Sequence, residues 1–215
     1  MNLESGDTRY SPSGRTLSGA TRAAGAFLLG AVAALTLLLG ACSERAPAFH
    51  STDITGADFG LDFQLRDPDG KLRTLADFRG KLVLVFFGFT QCPAVCPTAL
   101  LNAAEVRRAL GADAARVQVL FVTLDPERDT PALLRQYTAA FDASFIGLYA
   151  DLEGTRRVAQ DFRVFYQKVP TGTSYSIDHS ALTYVYDGAG RIRLALRHDQ
   201  SIDETVADMR VLLRE

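Results

Sequence analysis

The chain has 215 residues, 47% of them hydrophobic, and a formal net charge of −2. That length holds one sizeable domain plus an extension, and the apolar content allows a proper core. The slightly acidic balance excludes a broad basic surface, and with it generic nucleic-acid binding.

Arg9, Arg15 and Arg22 precede an apolar stretch from Ala23 to Ala41 that ends Leu38-Leu39-Gly40-Ala41-Cys42. A basic lead, an apolar middle and small residues at the end describe a secretory signal over 1–42. The ending resembles a bacterial lipoprotein signal, in which Cys42 becomes the lipidated first residue of the mature protein. The alternative is an uncleaved N-terminal transmembrane helix, for which about 19 apolar residues are just enough. Either reading places the rest of the chain on the extracytoplasmic (periplasmic) face of a bacterial membrane. Residues 43–55 are small and polar and predict a flexible linker. The remainder, 56–215, reads as one domain without repeats.

Phe63–Arg66 and Leu72–Thr74 flank Asp67-Pro68-Asp69-Gly70 and predict a hairpin. Lys81–Phe87 is a continuous apolar run, as expected of a buried central strand. A helix is predicted over Pro97–Leu110, then a second buried strand over Val117–Leu124. Thr130-Pro131 supplies an N-cap and a first-turn proline for a helix to about Ala140. A short strand at Ser144–Tyr149, a helix at Asp151–Phe162 and an extended stretch at Arg163–Lys168 follow. Ala181–Tyr186 and Arg191–Leu196 flank Asp187-Gly188-Ala189-Gly190 as a late hairpin. Ser201 and Glu204 form a capping box for a last helix to about Leu213. The pattern is α/β: a mixed central sheet flanked by helices, with an N-terminal hairpin.

With Cys42 assigned to the anchor, Cys92 and Cys96 are the only thiols left. They lie four apart, just past the carboxyl end of the first buried strand, where sites gather in such sheets. Residues one helical turn apart share a face, so the two thiols can converge on a soft metal ion or close into a disulfide. An oxidising compartment closes such a pair unless a metal or a reductant holds it.

Of the three histidines, His50 falls in the linker and His198 after the last hairpin strand, and both read as solvated. His179 stands immediately before the first strand of the late hairpin. A cysteine pair at a strand–helix junction, followed late by a hairpin and a terminal helix, resembles the thioredoxin-like layout. There a loop residue, usually a cis-proline, packs against the pair from the position His179 holds here; Pro170 comes too early. Two thiolates and an imidazole suit Cu(I) or Cu(II), and zinc is open if further ligands complete a tetrahedron. Asp178 either orients the imidazole through its second nitrogen or forms a turn. Asp125 and Asp129, after the second buried strand, either support the same rim and dock a partner or belong to a charged loop leading into a helix cap.

Three segments in order carry a resemblance: Gly88-Phe89-Thr90-Gln91-Cys92-Pro93-Ala94-Val95-Cys96-Pro97, Val122-Thr123-Leu124-Asp125-Pro126-Glu127-Arg128-Asp129-Thr130-Pro131, and Asp178-His179-Ser180. With them, the chain over roughly 55–215 resembles the Sco/SenC family of copper proteins. The resemblance implies a thioredoxin-like fold and copper binding by Cys92, Cys96 and His179. It also implies a metallochaperone role in assembling the CuA centre of cytochrome c oxidase. The implied partners are the copper-accepting oxidase subunit and a copper donor chaperone or thioredoxin-like reductant. The competing reading is a dedicated thiol–disulfide oxidoreductase with Cys92 and Cys96 as its redox pair. A three-residue spacer and the missing proline weigh against general exchange. A thiol peroxidase, which shares the Thr90-Gln91-Cys92 type of entry, ordinarily needs an arginine beside the thiolate, and the late-hairpin position holds His179 instead.

Overall fold

The computed structural model describes residues 48–215. Its main sheet has six strands in the order β1-β10-β9-β4-β5-β6. At its centre β4 (Leu82–Gly88) pairs in parallel with β5 (Val117–Thr123), and both are buried along their whole length. A strand covered on both faces must be apolar throughout, which is what Leu82–Phe87 supplies. Residues of alternate parity then serve opposite sides. Leu82, Leu84 and Phe86 join the layer with α1 (Val95–Leu110) and α4 (Ile202–Leu212). Val83, Val85 and Phe87 join the layer with α3 (Leu152–Asp161) and the N-terminal hairpin, β2 (Leu65–Arg66) and β3 (Leu72–Arg73). Each such side chain contributes about 1.5–3 kcal/mol on burial.

β6 (Ile146–Leu148) extends the sheet in parallel beyond β5, after α2 (Pro131–Ala139). On the other side β9 (Leu182–Tyr186) and β10 (Ile192–Arg197) run antiparallel. The helix signals hold in detail. Thr130 Oγ1 accepts from the Leu133 amide at 3.2 Å, and Ser201 and Glu204 form their capping box. Such caps contribute about 1 kcal/mol each. This is the thioredoxin-like mixed sheet expected from the sequence.

Four differences stand out. First, the helix after the cysteines begins at Val95, so Cys96 lies inside it and Pro97 in its first turn, where a missing N–H leaves no bond unmade. Second, the expected linker does not run to residue 55. β1 (Thr52–Asp53) pairs with β10, and the buried Asp208 on α4 accepts from the His50 amide, the Ser51 amide and the Ser51 hydroxyl. Third, Arg163 closes α3 with φ of 53°, and the extended stretch starts only at Tyr166. Fourth, the predicted loop before the late hairpin is a strand. β7 (Tyr166–Thr171) and β8 (Ser174–His179) form a separate antiparallel ribbon. The Ser180 amide donates to the Phe165 carbonyl; by alternation Pro170, opposite Tyr175, then needs no cross-strand amide.

No helix among the described residues is long and apolar enough to cross a membrane. The signal or anchor over 1–42 and the lipidation site Cys42 lie outside the described residues.

Candidate metal centre

β4 ends at Gly88, and the chain turns through Phe89-Thr90-Gln91 to deliver Cys92 in front of α1. The turn is held from below by Asp129, which is almost fully buried. Its carboxylate accepts from the Thr90 amide at 3.0 Å, the Thr90 hydroxyl at 2.6 Å and the Thr123 hydroxyl at 2.6 Å. Burial pushes the Asp129 carboxyl above its ordinary value against these three bonds. Gly88 is required by space: a Cβ there would sit 2.7 Å from Cys96 Sγ.

Cys96, on the first turn of α1, is completely buried, whereas Cys92 is partly open to solvent. The Cys96 amide donates to Cys92 Sγ at 3.4 Å, so the sulfur occupies the place of a cap at the helix N-terminus. Free amides and the helix dipole favour negative charge there. A hydrogen bond from the Cys96 thiol, reinforced by the Cys96 and Ala94 amides, lowers the Cys92 pKa to about 5 despite burial. Cys96 moves in the opposite direction, because its proton is shared with Cys92 and its sulfur is buried. At neutral pH the pair therefore carries one thiolate, on the sulfur nearer to solvent.

His179 arrives from the other side, at the end of β8. Its Nε2 lies 3.6 Å from Cys96 Sγ. Its Nδ1 lies 3.0 Å from the Ser180 carbonyl oxygen. A carbonyl only accepts, so Nδ1 carries a hydrogen, and Nε2 is the ring nitrogen that faces the sulfurs. Phe86 and Phe89 fix the ring edge-on, at centroid distances of 6.1 and 6.0 Å. One ligand atom each from Cys92, Cys96 and His179 lies within 4.8 Å of the others. A shallow groove lined by Pro93, Ala94, Ile177 and Ala181 opens onto Cys92 and His179. No other histidine, cysteine or carboxylate among the described residues completes a fourth position. A closed structural zinc site wants four protein ligands; two sulfurs and one imidazole suit copper better.

The three expected ligand residues are thus brought together, and His50 and His198 are exposed elsewhere. Asp178 is a correction. Strand alternation turns it away from His179 and Ile177 to solvent, and the Ser180 carbonyl takes the Nδ1 hydrogen instead. Asp129 supports the cysteine turn. The buried Asp125 reaches the histidine strand: it pairs with Arg128 and accepts from the Tyr175 hydroxyl at 2.8 Å. Nothing local in the sequence marks Arg128 and Tyr175 as part of this arrangement, although Arg128 lies inside one of the three motifs.

A family model described as SCO1/SenC matches residues 51–214. The chain belongs to this family. A SCO2-like protein of Rickettsia felis is 36% identical over 169 residues, covering 76% of this chain and 82% of that protein. The mitochondrial SCO2 homolog of Bos taurus is 38% identical over 164 residues, 71% of this chain and 62% of that protein. Among solved structures, Bradyrhizobium japonicum ScoI with copper bound superposes with a TM-score of 0.67 at 42% identity, covering 73% of this chain and all of that one. Apo Sco1 of Thermus thermophilus gives a TM-score of 0.70 at 41% identity, with 79% of this chain and 99% of that chain covered. The Sco likeness therefore spans the domain that carries the Cys92–Cys96–His179 cluster.

Proposed function

We propose that this Sco protein is a copper metallochaperone that takes up one copper ion through Cys92, Cys96 and His179. It delivers the ion to the copper-accepting subunit of cytochrome c oxidase during assembly of the CuA centre. The observation that carries the reading is the convergence of two sulfurs and an imidazole nitrogen within 4.8 Å. Family membership and the copper-bound relative support it. Cys92 is partly exposed and borders the open groove, so an acceptor's ligands can reach the cargo there. The thiolates hold Cu(I), and the imidazole adds the ligand that lets the same site hold Cu(II). The Ala23–Cys42 segment tethers the domain to the extracytoplasmic face of a membrane, either as a lipoprotein or through an uncleaved helix. Copper loading of wild type and His179→Ala tests the ligand set. One copper per chain, with thiolate-to-Cu(II) absorption altered by the substitution, is expected. Unchanged stoichiometry, affinity and spectrum in His179→Ala would refute it.

A second reading rests on the cysteine pair itself. An accessible thiolate at Cys92, beside a buried protonated Cys96, is the arrangement of an attacking and a resolving thiol. Under this reading the protein reduces the cysteines of a copper-protein partner. A Cys96→Ser variant, which leaves the attacking Cys92 in place, then traps a mixed disulfide; its absence together with tight copper binding decides for the chaperone.

A further inference from the structure

The β7–β8 ribbon has only two strands, yet it presents one of the three ligand groups. A two-stranded ribbon is marginal in water by itself, so its attachments decide where His179 stands. Ile177 anchors its middle in the core. Towards the tip a clamp holds it. Arg128, in the loop after β5, lies with its guanidinium carbon 3.7 Å from the centre of the Tyr175 ring. Its Nη1 donates to the Tyr175 carbonyl at 2.8 Å. Its Nε donates to Asp125, whose other oxygen accepts from the Tyr175 hydroxyl. Guanidinium, carboxylate and phenol thus close a ring of contacts. Lys168 on β7 lies 4.5 Å from the centre of the same aromatic ring and pairs with Glu127 of the same loop. Tyr175, Ile177 and His179 alternate along one strand and share a face. The far end of the loop, Asp129, holds Thr90. The segment Asp125–Asp129 therefore grips both the strand that presents His179 and the turn that presents Cys92.

We propose that Arg128 and Tyr175 are positioning residues for the metal centre: their stacking sets the approach of His179 Nε2 to the cysteine pair, and so decides whether the site retains copper as Cu(II) or only as Cu(I). The inference rests on the copper reading above. Two thiolates suffice for Cu(I), whereas Cu(II) calls for the imidazole. Loosening the clamp removes the third ligand selectively and leaves the sulfurs, which stand on other elements, in place.

The test uses the full chain as wild type, Tyr175→Leu and Tyr175→Phe. Cu(I) and Cu(II) affinities are measured by chelator competition, the Cu(II) absorption spectrum is recorded, and amide hydrogen exchange is followed in the metal-free protein. For Tyr175→Leu the Cu(II) dissociation constant should rise roughly tenfold or more, with a changed spectrum. The Cu(I) constant should stay within about twofold, and exchange should speed up in 166–179 but not in β4 and β5. Tyr175→Phe keeps the ring on Arg128 and should retain most of the Cu(II) affinity. Unchanged Cu(II) binding in Tyr175→Leu overturns the proposal. So does equal loss of both oxidation states with exchange raised across the central sheet, which would make the role merely structural. A Phe variant as weak as the Leu variant refutes stacking as the source. If wild type binds neither ion, the copper reading falls by itself, and the exchange comparison still shows whether the clamp orders the ribbon.

Discussion

Substituting Gly88 by alanine probes how tightly the central sheet and the cysteine pair are packed against one another. Gly88 has ordinary strand backbone, so the substitution costs space and not conformation. A Cβ there meets Cys96 Sγ at 2.7 Å, Phe121 Cε2 at 2.9 Å and Phe86 Cε1 at 3.0 Å. Relaxed contacts need roughly 3.5–4 Å, so each of the three neighbours must retreat by at least about half an ångström. None is the end of a long flexible chain; two are rings locked in the core. Overpacking of this kind costs about 1–3 kcal/mol, and three rigid walls put Gly88→Ala in the upper half of that range. With a urea slope of about 2 kcal/mol/M, the midpoint falls by about 1 M. Urea unfolding of the reduced metal-free protein, followed by circular dichroism, measures it. Cys96→Ala in the Gly88→Ala background should recover about 1 kcal/mol beyond additivity, because it removes the closest wall. A midpoint within about 0.2 M of wild type, with copper binding unaltered, would refute the reasoning.

The other predictions concern the groups around that wall. Alkylation of the reduced metal-free protein should be confined to Cys92: its folded pKa is lowered, so reactivity is flat from neutral pH down to about 6 and is lost as pH falls through about 5. A titration midpoint near 8.5, read by mass spectrometry, would mean that the helix-end capping of the sulfur is absent. Asp129→Ala strands the amide and hydroxyl of Thr90 and the hydroxyl of Thr123; a loss of about 2–4 kcal/mol in urea unfolding is expected, together with weaker copper binding. Asp208→Ala removes the acceptor shared by His50 and Ser51. Amide exchange should then quicken in 50–54 while β4 and β5 keep their protection, and a uniform change would contradict a local clasp.

The sequence carried the central architecture because its signals there are local. The unbroken apolar run Leu82–Phe87, the Thr130-Pro131 cap and the Ser201/Glu204 box act through neighbours in the chain, and each appears where it was expected. The candidate ligands were legible because few residue types bind soft metals: the spacing of Cys92 and Cys96 puts them on one face, and the resemblance to the thioredoxin-like layout puts His179 opposite them. What escaped depended on partners far away. β1 looks like polar linker until Asp208, 157 residues from Ser51, takes its amide. β8 does alternate Tyr175, Ile177 and His179 against Ser174, Ser176 and Asp178, but three small or charged residues mask a strand whose one fully buried residue is Ile177. The same alternation, applied to Asp178, would have turned it outward from the start. Arg128 looked like part of a charged loop, because nothing local shows that its guanidinium lies on an aromatic ring more than forty residues away.

Cys96 and His179 are 83 residues apart in the chain. Any ion they share ties that length into a closed ring. In a disordered chain, bringing two such points together costs about 4 kcal/mol of entropy; the folded sheet has already done it, so the ion meets ligands gathered in advance. The converse also holds. An ion bound only to the folded form adds to its stability by mass action, and it does so by stapling a two-stranded ribbon to the first turn of a helix. The seam that the staple crosses lies between β8 and α1, not within the six-stranded sheet.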